Sequence, residues 1–228
     1  MKKKPLVLIH LSLISVIFLL LATGCKKDDD GTSVTDIDGN KYHTVTIGTQ
    51  TWLKENLKTT RLNDGTPLLN EIGDAAWEAM TTYGYCWYDN DAAVKGKTYG
   101  ALYNFAVANS GKICPSGWHV PTSAEWTVLK NYVGNDDDAG GKLKEAGTSH
   151  WNSPNTGATD DYGFAALAAG QRYEDGPYIY LGKNCNFWTT TIGPGTNPYG
   201  IRLYHDGADY HMSEFHRNRG LSIRCIKN

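Results

Sequence analysis

Six side chains with metal-ligating chemistry fall within residues 205–216: His205, Asp206, Asp209, His211, Glu214 and His216. Imidazoles and carboxylates at alternate positions of an extended chain share a face and can converge on a transition metal. The Asp206-Gly207 pair is a turn signal that breaks that alternation, so a polar outer face is the expectation here and no metal site is assigned. A second set, Asp136, Asp137 and Asp138 with Asp160 and Asp161, could supply some of the roughly six to eight oxygens that calcium needs. Solvated acidic loops are the preferred reading, with structural calcium as the secondary one. The third set lies in residues 151–162, WNSPNTGATDDY, a long run of turn formers of the kind that carries function. Trp151, Asn152, Asn155, Asp160 and Asp161 combine an aromatic face with amide and carboxylate groups, the chemistry that grips a saccharide. They form the candidate ligand-binding set, against the alternative that they only satisfy their own backbone. No GxSxG elbow, HExxH pair or phosphate-cradling glycine loop occurs in the sequence, and a non-catalytic chain is expected.

The elements that must position these groups are legible in part. Thr122 followed by Glu125 is a capping box, so a helix should begin at Ser123, with Trp126, Leu129 and Val133 on its buried face. Pro121 holds the preceding residues extended, which makes Trp118, His119 and Val120 a short strand-like entry. Val45 and Ile47 alternate with Thr44 and Thr46, Gly48 turns the chain, and residues 50–53 return as the partner strand. Between residues 74 and 91, Trp77, Tyr83, Tyr85, Trp87 and Tyr88 are expected mainly in the core. Leu102, Phe105, Ala106 and Asn109 recur at helical spacing from Tyr99, predicting a second helix of about ten residues. Residues 140–146 can add a short third one. Residues 187–191, the alternating Tyr199, Ile201 and Leu203, and the final Leu221, Ile223 and Cys225 read as strands. The fold class is α+β: antiparallel sheets, two main short helices and much loop.

At the N-terminus three lysines precede a mostly apolar stretch of about 17 residues without an acidic group, which reads as a secretory signal over residues 1–24. Residues 25–33, with Lys26 and Lys27 followed by three aspartates, have nothing to bury and read as a tether. Residues 34–228 are expected to form one domain. Loss of the signal takes three lysines and no acidic residue, moving the formal charge from −2 to −5. Without a basic cluster, nucleic acid is excluded as a partner. If Cys25 is modified, four of the five cysteines remain, an even number in an oxidising compartment, and three pairings are open. No CxxC spacing suggests zinc.

The segment CPSGWHVPTSAEW from Cys114 resembles the signature of the Fibrobacter succinogenes major paralogous domain, found in secreted and surface proteins of Bacteroidetes-like bacteria. The same pattern is echoed by DIDGNKYHTVTIGTQTWLKENLKTTRLNDGTPL from Asp36, TYGALYNFAVA from Thr98, FWTTT from Phe187 and GLSIRCIKN from Gly220. A cysteine, a strand and a Thr-capped helix closed by a cysteine in the last strand also resemble the C-type-lectin-like fold. That resemblance implies a Cys114–Cys225 bridge, and with it Cys86–Cys185, and places a ligand loop near residues 151–162. The EPN, QPD and WND motifs that hold calcium in sugar-binding members are missing, and Asp89, Asn90 and Asp91 precede the capped helix. PTSAEW is similar to a run in formylglycine-generating enzymes, which act through reactive cysteines; that enzyme reading ranks last. Ala22, Thr23, Gly24 and Cys25 resemble a lipobox, with Ala22 where leucine is usual, and the Lys-then-Asp run after Cys25 is similar to a surface-export signal. The expectation is therefore a lipid-anchored outer-membrane protein exposed at the cell surface, which binds a glycan or a surface protein or else is a structural part of a surface assembly. Cys25→Ala should release the protein from the membrane fraction or stop its processing. Cell fractionation checks this, and unchanged membrane association of a correctly cleaved chain would count against it.

Overall fold

A computed structural model describes residues 32–228; the expected signal, Cys25 and most of the tether lie outside the described residues. Ser33, expected as the last tether residue, already pairs with His43 in a strand. The architecture is mixed α+β with mostly antiparallel sheets. A five-stranded sheet runs in the order Ser33–Thr35, Lys41–Ile47, Gln50–Leu53, Ile226–Lys227, Trp118–His119. Asn184–Ile192, Pro198–Tyr204 and His211–Glu214 form a three-stranded sheet, and Ala169–Arg172 with Tyr178–Leu181 a hairpin. Leu69–Asn70, Gly84–Cys86 and Leu102–Tyr103 make a further small sheet, whose first pair is parallel.

The capped helix is Ser123–Val133. The Glu125 amide donates to the Thr122 hydroxyl at 3.2 Å and the Thr122 amide to the Glu125 carboxylate at 2.7 Å, closing the capping box. Trp126, Leu129 and Val133 are buried as their spacing requires, in a cluster with Trp52, Phe164, Phe187 and Ile201. The strand pair Lys41–Ile47 and Gln50–Leu53 forms across the expected turn, with Val45 opposite Trp52. Ala139–Leu143 provides the short third helix. Trp77, Tyr85 and Tyr88 are buried as expected, whereas Tyr83 is exposed and Trp87 half-buried.

The ten-residue helix expected from Tyr99 does not form. One helical turn, Lys97–Tyr99, ends at Gly100, whose φ of 78° lies in the left-handed region, and only Phe105–Ala108 is helical beyond it. Leu102–Tyr103 is instead a strand, with Tyr103 opposite Tyr85 on one side and Leu221 on the other. Helical spacing is a weak local preference, and pairing on both sides overrides it.

Residues 220–227 connect the sheets. Gly220 bridges Arg172, Leu221 bridges Tyr103, Ser222 bridges Phe187, and Ile226 lies between Trp52 and His119. A Cβ on Gly220 would sit 3.0 Å from the Arg172 Cβ and 3.1 Å from the Trp77 ring, so a larger residue would require these neighbours to shift by a few tenths of an ångström. Cys225 in this segment is bonded to Cys114, 111 residues earlier in the chain.

Cys86 and Cys185 are not joined. Both are reduced and fully buried, Cys86 packed with Trp77, Met80, Tyr88 and Leu102, and Cys185 in the Trp52–Trp126 cluster. An even cysteine count permits a second bridge but does not bring together strands that belong to separate cores. Burial pushes the Cys86 thiol up to about 11 and the Cys185 thiol up to about 12. A non-reducing peptide map should therefore recover Cys114 joined to Cys225, with Cys86 and Cys185 alkylated only after unfolding. Opening the bridge by a double serine substitution should cost about 4 to 5 kcal/mol in urea denaturation, the entropy of a loop of that length.

Candidate functional site

The expected ligand set in residues 151–162 does not form a surface. Trp151 is 2 % exposed, and its indole donates to the Ala166 carbonyl at 2.9 Å inside the core. Its ring cannot stack on a ligand, because the loop folds back over it. Asn155 is buried as well, donating to the Glu145 and Gly147 carbonyls at 2.9 and 2.6 Å. Asp160 accepts from the Ala165 amide at 2.8 Å, and Asp161 is exposed. Asn152 is exposed, and its side chain lies over Gly182, where an added Cβ would come within 2.5 Å of its Oδ1. Asp160 serves backbone just past the loop, whereas Asn155 reaches back out of it to the 145–147 segment.

The acidic run is also accounted for locally. Asp136 pairs with Lys130 at 2.8 Å, and Asp138 with Lys142 at 2.7 Å and the Asn135 amide at 2.8 Å. The histidine-rich hairpin brings His211 to 3.9 Å from Asp209 and edge-on to Tyr204, while Glu214 receives the Gly195 amide and His216 is exposed. Among the described residues no three His, Cys, Asp or Glu side chains are placed to hold a metal ion together.

A different site arises beside them. Along Asn184–Ile192, Cys185 and Phe187 enter the core, so Asn184 and Asn186 face the other way. Along Pro198–Tyr204, Ile201 and Leu203 enter the core, and Arg202 and Tyr204 turn to that same opposite face. The register sets Asn184 opposite Tyr204 and Asn186 opposite Arg202. The Arg202 Nε donates to the Asn186 Oδ1 at 2.8 Å, and its guanidinium also donates to the Tyr204 hydroxyl at 3.2 Å. Tyr173 and Tyr180, from the start and end of the neighbouring hairpin, and Lys183, His205 and Asp206 complete a pocket of about 270 Å³.

Two features fix the pocket's shape. Tyr180 has a φ of 66° and remains 42 % exposed, an unusual backbone for an aromatic residue, imposed by the turn in which the Lys183 amide donates to the Tyr180 carbonyl at 2.9 Å. Tyr173 is braced from behind by the Arg219 guanidinium, 4.0 Å from its ring centre. The lining thus offers three phenol rings, an amide, an imidazole, two cations and one carboxylate.

Residues 45–227 match the model of the Fibrobacter succinogenes major domain. The chain belongs to this family. Comparison with the curated proteins and with the solved structures gave no match.

In this member of the family the pocket rim is held from below by Lys144. Its ammonium donates to the carbonyls of Thr156, Tyr204 and Gly207 at 2.9, 2.8 and 2.8 Å, and it lies 5.2 Å from the Trp151 ring. One buried cation therefore ties the 151–162 loop to the 204–207 turn. Sequence inspection read His205 and Asp206 as part of a polar outer face and passed over Tyr173, Tyr180, Lys183, Asn184, Arg202 and Tyr204. The available signal was the Asp175-Gly176 turn flanked by tyrosines, a hairpin motif beside strands of alternating character.

Desolvation pushes the Lys144 ammonium down to about 8 from 10.5. Between those values the unfolded chain holds the extra proton, so this group makes stability rise with pH from about 8 to 10.5, and its penalty is complete below 8. Lys144→Met leaves three carbonyls without their donor and should cost about 2 to 4 kcal/mol in urea denaturation. The gap between parent and variant should widen from pH 7 to pH 9.5, since only the parent gains from the rise.

Proposed function

We propose that this chain is a non-catalytic binding module that takes a saccharide in the tyrosine-lined pocket. The observation that carries the reading is the convergence of Tyr173, Tyr180 and Tyr204 with Asn184, Lys183, Arg202 and Asp206 around one concavity. The apolar faces of pyranose rings pack on aromatic rings, and sugar hydroxyls pair with amide, carboxylate and cationic groups of this kind. A C-type-lectin-like topology is part of the proposal. It is supported by the disulfide from the segment ahead of the capped helix to the last strand, and by the place of that strand beside the first hairpin. So is a lipid anchor at Cys25 that presents the domain at the outer surface of the outer membrane.

A second reading is a structural component of a surface assembly. It is favoured by Leu69, Ile72 and Tyr83, which are 52, 61 and 39 % exposed, Leu69 being hydrogen-bonded through its amide to the Tyr83 carbonyl.

A glycan array followed by calorimetry on the best binder separates the two. Tyr180→Ala should weaken a bound saccharide by about tenfold, the worth of one aromatic stacking contact, with the melting transition retained. An array without binders, or a binder indifferent to Tyr180→Ala, would leave the assembly role as the better account.

A further inference from the structure

A second concavity borders the strand pair Lys41–Ile47 and Gln50–Leu53. One lobe of about 360 Å³ is lined by Asp38, Asn40, Lys58, Thr60, Trp87 and Lys97 among others. A second lobe of about 190 Å³ includes Lys54, Glu55 and Asn56, and the two share Lys58 and Lys97. The shared lysines stand where the lobes meet.

The two carboxylates in this cleft are already occupied. Asp38 accepts from the Thr60 amide and hydroxyl at 2.5 and 2.9 Å, from the Thr59 hydroxyl at 3.0 Å and from the Arg61 Nε at 2.6 Å. Glu55 accepts both the His43 amide and its Nδ1, at 2.8 and 2.7 Å. Lys58 is half-buried, and neither Lys58 nor Lys97 makes an ion pair among the described residues. A half-buried ammonium gives up part of its hydration, a cost that an incoming anion would offset. Lys95, Lys112, Lys130 and Lys142 each have an aspartate partner, which half-buried Lys58 and exposed Lys97 lack.

The remaining lining selects the kind of anion. Trp87 stands at the wall, its ring held by the Gly96 backbone, where a Cβ would come within 2.5 Å of the indole. Asn40, whose amide nitrogen donates to Asp36, and Thr60, whose hydroxyl donates to Asp38, each keep an oxygen that can accept from a sugar hydroxyl. Two adjoining concavities that share Lys58 and Lys97 suit a short chain better than a single small ion.

We propose that this cleft binds a carboxylate-bearing saccharide of the uronic-acid class, with Lys58 and Lys97 holding the carboxylate and Trp87 packing on a sugar ring. The site stands independently of the tyrosine pocket.

Calorimetry of the purified full-length protein in detergent with an oligogalacturonate, and separately with the neutral galactose oligomer, tests it. The uronate should bind and the neutral oligomer should not do so in this cleft. Lys58→Ala with Lys97→Ala should weaken the uronate by about tenfold or more, the scale of lost charge-assisted hydrogen bonds. Raising salt from about 50 to about 500 mM should weaken it similarly. The Lys58→Arg, Lys97→Arg pair should retain binding, which separates loss of charge from loss of fold. Tyr180→Ala should leave uronate binding at the parent level, so failure of the tyrosine pocket and failure of this cleft are read separately. Absence of uronate binding, equal binding by the alanine variant, or equal binding of the neutral oligomer through the same lysines would overturn the proposal. Displacement by millimolar inorganic phosphate as effective as by the uronate would also overturn it, marking a plain anion site.

Discussion

Residues 220–227 are the seam on which the molecule depends. Their backbone pairs in turn with Arg172, Tyr103, Phe187, Trp52 and His119, residues drawn from four separate sheets, three of them of only two or three strands. Sheets of two or three short strands are marginal alone, and a segment that pairs with all of them makes their formation cooperative. The amides of Leu53 and Leu57 also donate to the Cys225 and Ile223 carbonyls, at 3.0 and 2.9 Å. Every residue from Gly220 to Ile226 is buried. The Cys114–Cys225 bridge pins this seam to the segment that leads into the capped helix, where its loop-closure effect is largest.

A chain with so much loop must satisfy many carbonyls that no ladder reaches, and here buried cations do it. Lys144 serves three carbonyls. Arg172 is fully buried and donates to the Gly176 and Glu71 carbonyls at 2.7 and 2.6 Å, while its guanidinium lies 4.6 Å from the Trp77 ring centre. Arg224 is also fully buried, donates to the Phe164 carbonyl and to Asn56, and lies 4.4 Å from the Phe164 ring centre. Desolvation brings its guanidinium down to about 10. Carboxylates do the converse for orphan amides: Asp36 accepts from the Asp38 and Asn40 amides and from the Tyr42 hydroxyl. Removing one member of such a pair would leave an unpaired buried group, so these contacts fix loop geometry in the way ladders fix strands.

The tyrosine pocket follows from this arrangement. The Asn184–Ile192 strand is buried on both faces over most of its length, Asn186 and Trp188 included, and the pocket opens at the end where Asn184 faces Tyr204 and where Lys144 holds the Tyr204 and Gly207 carbonyls. The concavity left is rimmed by side chains whose backbones are tied from behind, so its rings are held in place before any ligand arrives.

Local signals were readable from the sequence alone, because they depend on neighbours within four residues. The Thr122–Glu125 cap, the buried stripe of Trp126, Leu129 and Val133, the alternation around Val45 and Ile47 and the α+β class all follow from caps and periods. Family membership was legible for a related reason, since its motifs are contiguous strings. What the sequence could not supply was which side of an irregular segment would be covered. Trp151 looked like a loop aromatic and is a core residue. Cys86 and Cys185 looked like a pair and fill separate cores. Leu102 was read at helical spacing and, with Tyr103, became a strand between two partners. The tyrosine pocket draws on residues 173, 180, 183–184 and 202–206, which no single period links. Burial, pairing and pocket geometry are long-range properties, and only the packing of the four sheets around residues 220–227 decided them.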